Sequence, residues 1–195
     1  MSKKNTAPLV LASASPRRRQ LLRQAGLRFR VVPSRWEEGR PQGDPGRFAE
    51  AAARHKARDV AARLSRPAWV LAADTVVIAG REAFGKPVDR AQARRMLRRL
   101  AGRRHRVVTG VALLHSATGR GYSWREVTRV WMRPISRSEE ARYLQAGEWR
   151  DKAGAYGIQG RAGAFIHRIE GCAANVVGLP LAAVCAALAR LGVRA

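Results

Sequence analysis

The sequence predicts an α/β fold built on a central sheet. Segments with strand patterns and segments with helix patterns alternate along the whole chain, with no repeat, linker or low-complexity stretch between them. The length of 195 residues suits one domain, and a hydrophobic content of 46% supplies enough apolar side chains for a core. We therefore expect a single domain over residues 1–195, in which residues 1–7 form a disordered N-terminal tail.

The first elements follow from short apolar runs and their stop signals. The run Leu9–Ala12 predicts a strand, and the helical pattern after it has Pro16 near its start and ends at Gly26. Phe29–Val32 predicts a second strand. A polar loop rich in glycine and proline covers 33–45 and leads into an alanine-rich helix at Arg47–Leu64.

The middle of the chain predicts a strand, a helix and two further strands. Trp69–Ala79 is a long apolar run, read as a buried strand or a pair of strands. Asp89–Ala101 has apolar residues at helical spacing. Val107–Leu114 predicts a strand, and the turn at Thr118–Gly121 joins it to another strand around Val127–Met132.

The C-terminal part begins with a helix signal. Ser136 is placed to cap a helix that ends at Ala146, and Glu139 occupies the capping-box position. A glycine-rich irregular stretch follows at 147–163. The last strand is predicted at Phe165–Ile169 and the last helix at Leu179–Leu191.

The charge is strongly basic, with 38 Lys+Arg against 14 Asp+Glu and a net charge of +24. Such an excess of positive charge is typical of proteins that bind nucleic acid. However, the predicted helix at Asp89–Ala101 carries its arginines on the outer face of an amphipathic pattern, and only 6% of the residues are aromatic. We expect no specific nucleic-acid partner, only salt-sensitive attraction to polyanions.

Membrane and secreted classes are not indicated. No apolar run reaches the about 20 residues of a membrane-spanning helix, and the N-terminus lacks a secretory apolar region. The two cysteines, Cys172 and Cys185, have no zinc-ligand spacing and are too few for a disulfide framework. We expect a cytoplasmic protein without a membrane partner.

One residue excludes a phosphate-binding loop that the sequence otherwise matches. Gly80–Lys86 fits GxxxxGK, but Pro87 follows where the motif requires serine or threonine, and proline has no backbone N–H to offer. Lys86 could still hold a phosphate on this loop, or it could be a solvated turn residue.

Two charged residues stand within apolar patterns. Asp74 lies in the strand Trp69–Ala79, where an unpaired carboxylate would cost several kcal/mol, so we expect it to be paired, hydrogen-bonded or metal-bound. Lys56 falls on the apolar stripe of its helix, and it either reaches out to solvent or points into a cleft.

A third candidate lies between the first strand and the first helix. The loop places Ser13, Ser15, Arg17 and Arg18 at a helix N-terminus, which favours an anion; the alternative is an ordinary helix cap and a basic face. The acidic pair Glu37–Glu38 could help to hold a divalent cation with Asp74, or could be solvated.

These motifs together resemble the Maf family of nucleoside triphosphate pyrophosphatases, over nearly the whole chain and in the family's order. The matching segments are LASASPRR (11–18), Glu38 after VVPS, HKA (55–57), AADTVV (72–77), GKP (85–87), HRVVTGV (105–111), EWRDKAGAYGIQG (148–160) and NVVGLPL (175–181).

The resemblance implies a central mixed sheet flanked by helices, two lobes around a deep cleft, and a homodimer. It implies hydrolysis of a nucleoside triphosphate to the monophosphate and pyrophosphate, with Mg²⁺ or Mn²⁺. Asp74 would be the general base, and Glu38 and Asp74 would hold the metal ion. The residues that would hold the triphosphate substrate are Ser13, Ser15, Arg18, Lys56 and Lys86.

Within the family, Arg17, Thr75 and Gln159 match the selectivity positions of the branch that acts on dTTP and UTP. The alternatives are the branch that acts on 7-methyl-GTP and a non-catalytic nucleotide- or polyanion-binding regulator of septum formation. The chain departs from the family pattern at Arg35–Glu37, at Gly171–Ala174 and in its basic surface.

Overall fold

A computed structural model describes residues 7–37, 39 and 43–193 of the chain. The strands are β1 (Leu9–Leu11), β2 (Phe29–Val31), β3 (Trp69–Ala79), β4 (Glu82–Phe84), β5 (Arg104–His115), β6 (Gly121–Met132) and β7 (Ile166–Glu170). The helices are α1 (Pro16–Gln24), α2 (Pro45–Ala61), α3 (Arg90–Leu100), α4 (Arg137–Ala146), α5 (Ala173–Val177) and α6 (Leu181–Arg190), with 3₁₀ helices at Ala153–Ala155 and Arg161–Phe165.

The strands form one mixed sheet in the order β2-β1-β3-β5-β6-β7, and β4 pairs with β3. β1 is parallel to both neighbours, with Val10 opposite Arg30 in β2 and Val70 in β3. The β3–β4 and β6–β7 pairs are antiparallel. This arrangement confirms the predicted α/β class with a mixed sheet and helices.

Four helices begin at a side chain that caps them; of these features the sequence predicted the cap of α4 and the proline near the start of α1. Ser15 caps α1 and Asp44 caps α2, each with a proline in the first turn. Asp89 caps α3. Ser136 and Glu139 form the predicted capping box of α4, in which each side chain accepts a hydrogen bond from the other residue's backbone N–H.

The short elements β4 and α5 and the two 3₁₀ helices were not predicted, and the strands β5 and β6 are longer than expected. β4 forms a hairpin with β3 through Gly80, whose φ of +60° suits glycine, and Arg81. The five-residue helix α5 is too short for a periodic signal. β6 begins at Gly121 rather than near Val127, because its first half is polar and lacks a buried face.

The chain divides into two compact units, and β3, β5 and β6 pass from one into the other. The first unit comprises Met1–Asp74, Thr109–Glu126 and Gly178–Ala195, and the second comprises Thr75–Val108 and Val127–Val177. The prediction of one domain over residues 1–195 stays a prediction. The tail predicted at 1–7 lies outside the described residues except for Ala7.

The core of the first unit lies between α2 and the sheet. Small residues on α2, among them Ala53 and Ala57, are buried with Val10 and Val70 of the strands. Gly110 of β5 packs so closely against α2 that a Cβ there would overlap the helix backbone. The small side chains therefore let α2 lie directly on the strands that lead into Asp74 and the β1–α1 loop.

The second unit has its own core. Leu97 and Leu100 of α3, Val107 of β5, and the aromatic residues Tyr143 and Phe165 are buried together. In the described part of the chain, no helix is both long and apolar enough to cross a bilayer.

Candidate active site

Lys56 and Asp74 form a nearly buried ion pair in the first unit. Lys56 Nζ donates a hydrogen bond to Asp74 Oδ1 at 2.6 Å, and each side chain is only 12% exposed. The expectation that Asp74 is paired is therefore confirmed, and Lys56 does not reach out to bulk solvent. Two charges held so far from water are costly unless they meet directly, as these do.

The β1–α1 loop is held together by its own polar groups. Ser13 Oγ accepts hydrogen bonds from the Ser15 N–H at 3.2 Å and from Arg18 Nη1 at 3.1 Å. Ser15 Oγ accepts from the Arg18 N–H at 3.5 Å as the helix cap. Arg18 Nε also donates to the carbonyl of Gly178 at 2.8 Å. The guanidinium thus ties the loop to the segment before α6.

The sheet register brings this loop to the level of Asp74. β1 and β3 are parallel with Leu11 opposite Leu71, and the Ala12 N–H donates to the Leu71 carbonyl at 2.8 Å. Continued by two residues, the register places Ser13 at the level of Ala73, next to Asp74 in the chain. β1 ends at Leu11 whereas β3 continues to Ala79, so the β1–α1 loop leaves the carboxyl end of its strand beside the middle of β3. Such strand ends are where α/β proteins present binding residues.

The other candidates lie in several places. Arg17 is half-buried in the first turn of α1. Thr75, Lys86 and Gln159 belong to the second unit: Thr75 is half-buried in β3, Lys86 is exposed beyond β4, and Gln159 is exposed in the turn between the two 3₁₀ helices. Glu38, the predicted metal ligand, lies outside the described residues.

One anchor that the sequence did not reveal fixes the loop after β2. Asp59 of α2 accepts hydrogen bonds from Ser34 Oγ and from the Arg35 N–H, both at 2.8 Å. Burial alone would raise the pKa of Asp59, but these bonds and one from Arg63 hold it below its usual value. Next to this anchor, Trp36 stacks on His55, with ring centroids 5.2 Å apart. The chain leading toward Glu38 is thereby fastened to the helix that carries Lys56.

A second anchor fixes the turn that carries Gln159. Glu148 Oε2 accepts a hydrogen bond from the Arg161 N–H at 2.9 Å, and its Oε1 lies 3.3 Å from Arg161 Nε. A Cβ at Gly160 would overlap the same carboxylate. The only sequence signal for this anchor is the pair of glycines that flanks the turn, Gly157 and Gly160.

The described residues contain no cluster of three or more His, Cys, Asp or Glu side chains that could by themselves hold a metal ion. Asp74 offers hard carboxylate oxygens of the kind that Mg²⁺ and Mn²⁺ prefer. Mg²⁺ is usually held by one or two carboxylates together with substrate phosphates, so a single described carboxylate fits this mode.

Comparison with known proteins supports one family. The family model described as Maf-like protein matches residues 8–191. The chain is 46% identical over 185 residues to a dTTP/UTP pyrophosphatase of Pelotomaculum thermopropionicum, which covers 94% of this chain and 96% of the relative. It is 49% identical over 174 residues to the protein of that name from Symbiobacterium thermophilum, with coverage of 89% and 88%.

Among solved structures, a HAM1 protein from Coxiella burnetii matches with a TM-score of 0.54 and 17% identity. The match covers 95% of this chain and 100% of that one. At this identity the similarity concerns the fold alone, and it agrees with the mixed sheet described above.

Proposed function

The chain belongs to the Maf family, and from that premise we propose that it is a nucleoside triphosphate pyrophosphatase acting on dTTP and UTP. The products would be the nucleoside monophosphate and pyrophosphate, so that the enzyme removes these triphosphates from the nucleotide pool. The relatives named dTTP/UTP pyrophosphatase, at 43–49% identity, support the proposal. The observation that carries it is the ion pair of Lys56 and Asp74 beside the β1–α1 loop.

Asp74 is the general base in this proposal. Its carboxylate accepts a proton from the water that attacks a phosphorus of the α–β phosphoanhydride. The bond between that phosphorus and the bridging oxygen then breaks, and pyrophosphate is released. In this proposal Lys56, whose Nζ lies 2.6 Å from the carboxylate, neutralises phosphate charge beside it. Burial strengthens this electrostatic effect, because little water screens it.

The triphosphate is held by Ser13, Ser15 and Arg18 in addition to Lys56 and Lys86. Hydroxyl groups and backbone N–H groups at the start of α1 suit phosphate oxygens, and the helix dipole adds to the attraction. Arg18 donates hydrogen bonds to Ser13 and Gly178, so its guanidinium fixes the conformation of the loop and also adds positive charge to it.

A divalent cation, Mg²⁺ or Mn²⁺, completes the proposed site, held by Asp74 and by Glu38. When bound, it would neutralise charge on the phosphate oxygens. The anchor at Asp59 supports this assignment, because it fixes the loop four residues before Glu38.

Substrate choice rests on Arg17, Thr75 and Gln159 in this proposal, the positions that match the dTTP/UTP branch. The test is the release of pyrophosphate from dTTP, UTP, CTP, GTP and 7-methyl-GTP with Mg²⁺ or Mn²⁺. Selective turnover of dTTP and UTP is expected. Preference for 7-methyl-GTP would contradict the three specificity residues and leave the reaction unchanged, whereas no turnover by the folded protein would favour the non-catalytic regulator.

We expect Asp74→Asn to lower kcat for dTTP by about 10²–10⁴-fold, because the amide cannot accept the proton. Glu82→Gln is the matched control: Glu82 is an exposed carboxylate paired with Arg99 at 2.9 Å, and its loss should leave kcat within about twofold. A folded Asp74→Asn variant with normal turnover would refute the assigned role.

Two further properties belong to the proposal, a cytoplasmic location and a homodimer. Both cysteines are free, which agrees with a reducing compartment. Light scattering coupled to size-exclusion chromatography would give the mass in solution, where a dimer is expected at twice the 21.4 kDa of the chain.

A further inference from the structure

The strands β5, β6 and β7 of the second unit carry exposed arginines on the face of the sheet that lies opposite the core. Side chains on a strand alternate between the two faces of a sheet. On β5, His105 and Val107 are buried while Arg104 and Arg106 are exposed. On β6, Val130 and Met132 are buried, so Arg129 and Trp131 lie on the other, outer face.

β7 extends the same outer face. Its register places Arg168 opposite Trp131 and Glu170 opposite Arg129, while Ile169 lies opposite the buried Val130. Because Val107, Val130 and Met132 share one core, their neighbours on β5, β6 and β7 share the opposite side. We call this surface the arginine face; it consists of Arg104, Arg106, Arg129, Trp131 and Arg168.

The charge of the arginine face is unbalanced. Within the described residues, Arg104 and Arg106 have no ion-pair partner. Glu170 is the acidic neighbour, 3.2 Å from Arg129 and 3.8 Å from Arg168. Four guanidinium groups against one carboxylate leave an excess of three positive charges, which indicates an anionic partner rather than an apolar one.

The face also carries a stacking platform. The Arg168 guanidinium lies over the Trp131 ring, 4.7 Å from its centroid, and the Arg168 side chain is 63% exposed. Nucleic-acid bases stack on aromatic rings and on guanidinium planes, and single strands spread over open sheet faces in this way. The sequence did not predict this surface, because its basic and aromatic residues come from three strands.

We propose that the arginine face binds single-stranded nucleic acid without sequence preference. The phosphates would contact Arg104, Arg106 and Arg129, and a base would stack on the layer formed by Arg168 and Trp131. This activity is separate from triphosphate hydrolysis, since it uses none of the residues assigned to that reaction.

The test compares two triple variants of equal charge. Arg104→Gln/Arg106→Gln/Arg129→Gln alters the face, and Arg28→Gln/Arg95→Gln/Arg142→Gln removes three exposed arginines elsewhere; both lower the net charge from +24 to +21. Binding of a labelled oligodeoxyadenylate of about 15 nucleotides is followed by fluorescence anisotropy at several salt concentrations. Circular dichroism and the melting midpoint check that each variant is folded.

We expect the face variant to bind at least about tenfold more weakly, with a slope of log K against log salt that is smaller by about 2, and the control to change by less than about threefold. Trp131→Leu should lose about fivefold or more without a change in that slope, because it removes stacking and no charge. Equal losses in the two triple variants would overturn the proposal. So would an unchanged affinity in Trp131→Leu, or competition by duplex DNA or inorganic polyphosphate as effective as that by the unlabelled oligonucleotide.

Discussion

Lys56 and Asp74 depend on each other for stability as well as for the proposed chemistry. Each side chain is 12% exposed, so removing one partner leaves the other charge with little water around it. Lys86, by contrast, is exposed. The two lysines proposed to bind phosphate therefore differ in what they contribute to the folded state.

We predict that Lys56→Met lowers the free energy of unfolding by about 2–3 kcal/mol, whereas Lys86→Met changes it by less than about 0.5 kcal/mol. Urea denaturation followed by circular dichroism measures both. The double variant Lys56→Met/Asp74→Asn should recover part of the loss, because no charge is then left unpaired. Equal effects of the two lysine substitutions would contradict the burial argument.

Gly160 and Glu148 are a second coupled pair, in the turn that carries Gln159. A methyl group at position 160 would overlap the Glu148 carboxylate, which accepts the Arg161 N–H. We predict that Gly160→Ala lowers the melting temperature, since the carboxylate must give up that bond. In the double variant Gly160→Ala/Glu148→Ala the overlap is gone, so it should be no less stable than Glu148→Ala alone. Additive losses would show that the two residues act independently.

The sequence could identify single residues whose apolar surroundings require a compensating partner, but it could not identify those partners. Asp74 stands out because a carboxylate in an apolar strand needs compensation, and that inference held. Its partner could not be derived, because Lys56 lies 18 positions earlier on a different element. No comparable sequence feature distinguishes Asp59 or Glu148, because each lies in a polar stretch where a carboxylate is expected.

At the scale of elements, the helix starts depend on local hydrogen bonds that the sequence does encode. Ser136 caps α4, and Glu139 Oε2 accepts from the Ser136 N–H at 2.9 Å. The pKa of Glu139 is lowered to about 2, first by its hydrogen bonds from Arg133 and then by those from Ser136. The cap thus joins the helix start to the end of β6.

We predict that Ser136→Ala lowers the free energy of unfolding by about 1 kcal/mol, because the Glu139 N–H loses its acceptor. Ser138→Ala, on the same turn, removes a hydroxyl that caps no backbone group and should cost less than about 0.5 kcal/mol. Guanidinium denaturation at constant pH compares the two variants. A larger loss in Ser138→Ala would contradict the assignment of the cap.

Helix bounds were predicted most accurately where a periodic pattern and a cap occur together, and the elements that were missed are all short. α1, α3 and α4 combine both and lie within one or two residues of their predicted bounds. β4 has three residues and exists because Ala79 and Glu82 pair across the Gly80 turn. Such a pairing depends on the neighbouring strand and leaves no pattern of its own in the sequence.

At the scale of the whole molecule, the net charge of +24 is distributed rather than compensated. Some arginines pair with the few acids, as Arg94 and Arg98 do with Glu140. Others remain exposed, including those of the arginine face. Composition alone could predict attraction to polyanions, but the placement of Arg104, Arg106 and Arg129 on one open face follows only from the strand order.

The stability of the whole fold should also depend on pH through one buried histidine. His105 is 2% exposed, and its Nε2 is hydrogen-bonded to the Tyr156 hydroxyl at 2.7 Å. Burial lowers the pKa of His105 from 6.5 to about 4, because the imidazolium would lose its hydration. His105 is therefore protonated near pH 6.5 in the unfolded chain, whereas in the folded protein it is not protonated until the pH falls to about 4. Stability from this group is therefore complete above pH 6.5 and is lost as the pH falls toward 4.

We predict that His105→Gln flattens this dependence. The variant is less stable than the wild type at pH 7, because the packing against Tyr156 is altered, but the difference in unfolding free energy between the two should shrink by up to about 3 kcal/mol between pH 7 and pH 4. Taking the difference at each pH cancels the titration of the carboxylates that both proteins share. His167→Gln, at an exposed position, should follow the wild-type curve throughout. A constant gap between His105→Gln and the wild type would mean that His105 titrates normally in the folded protein, and the acid sensitivity would then have to come from the carboxylates.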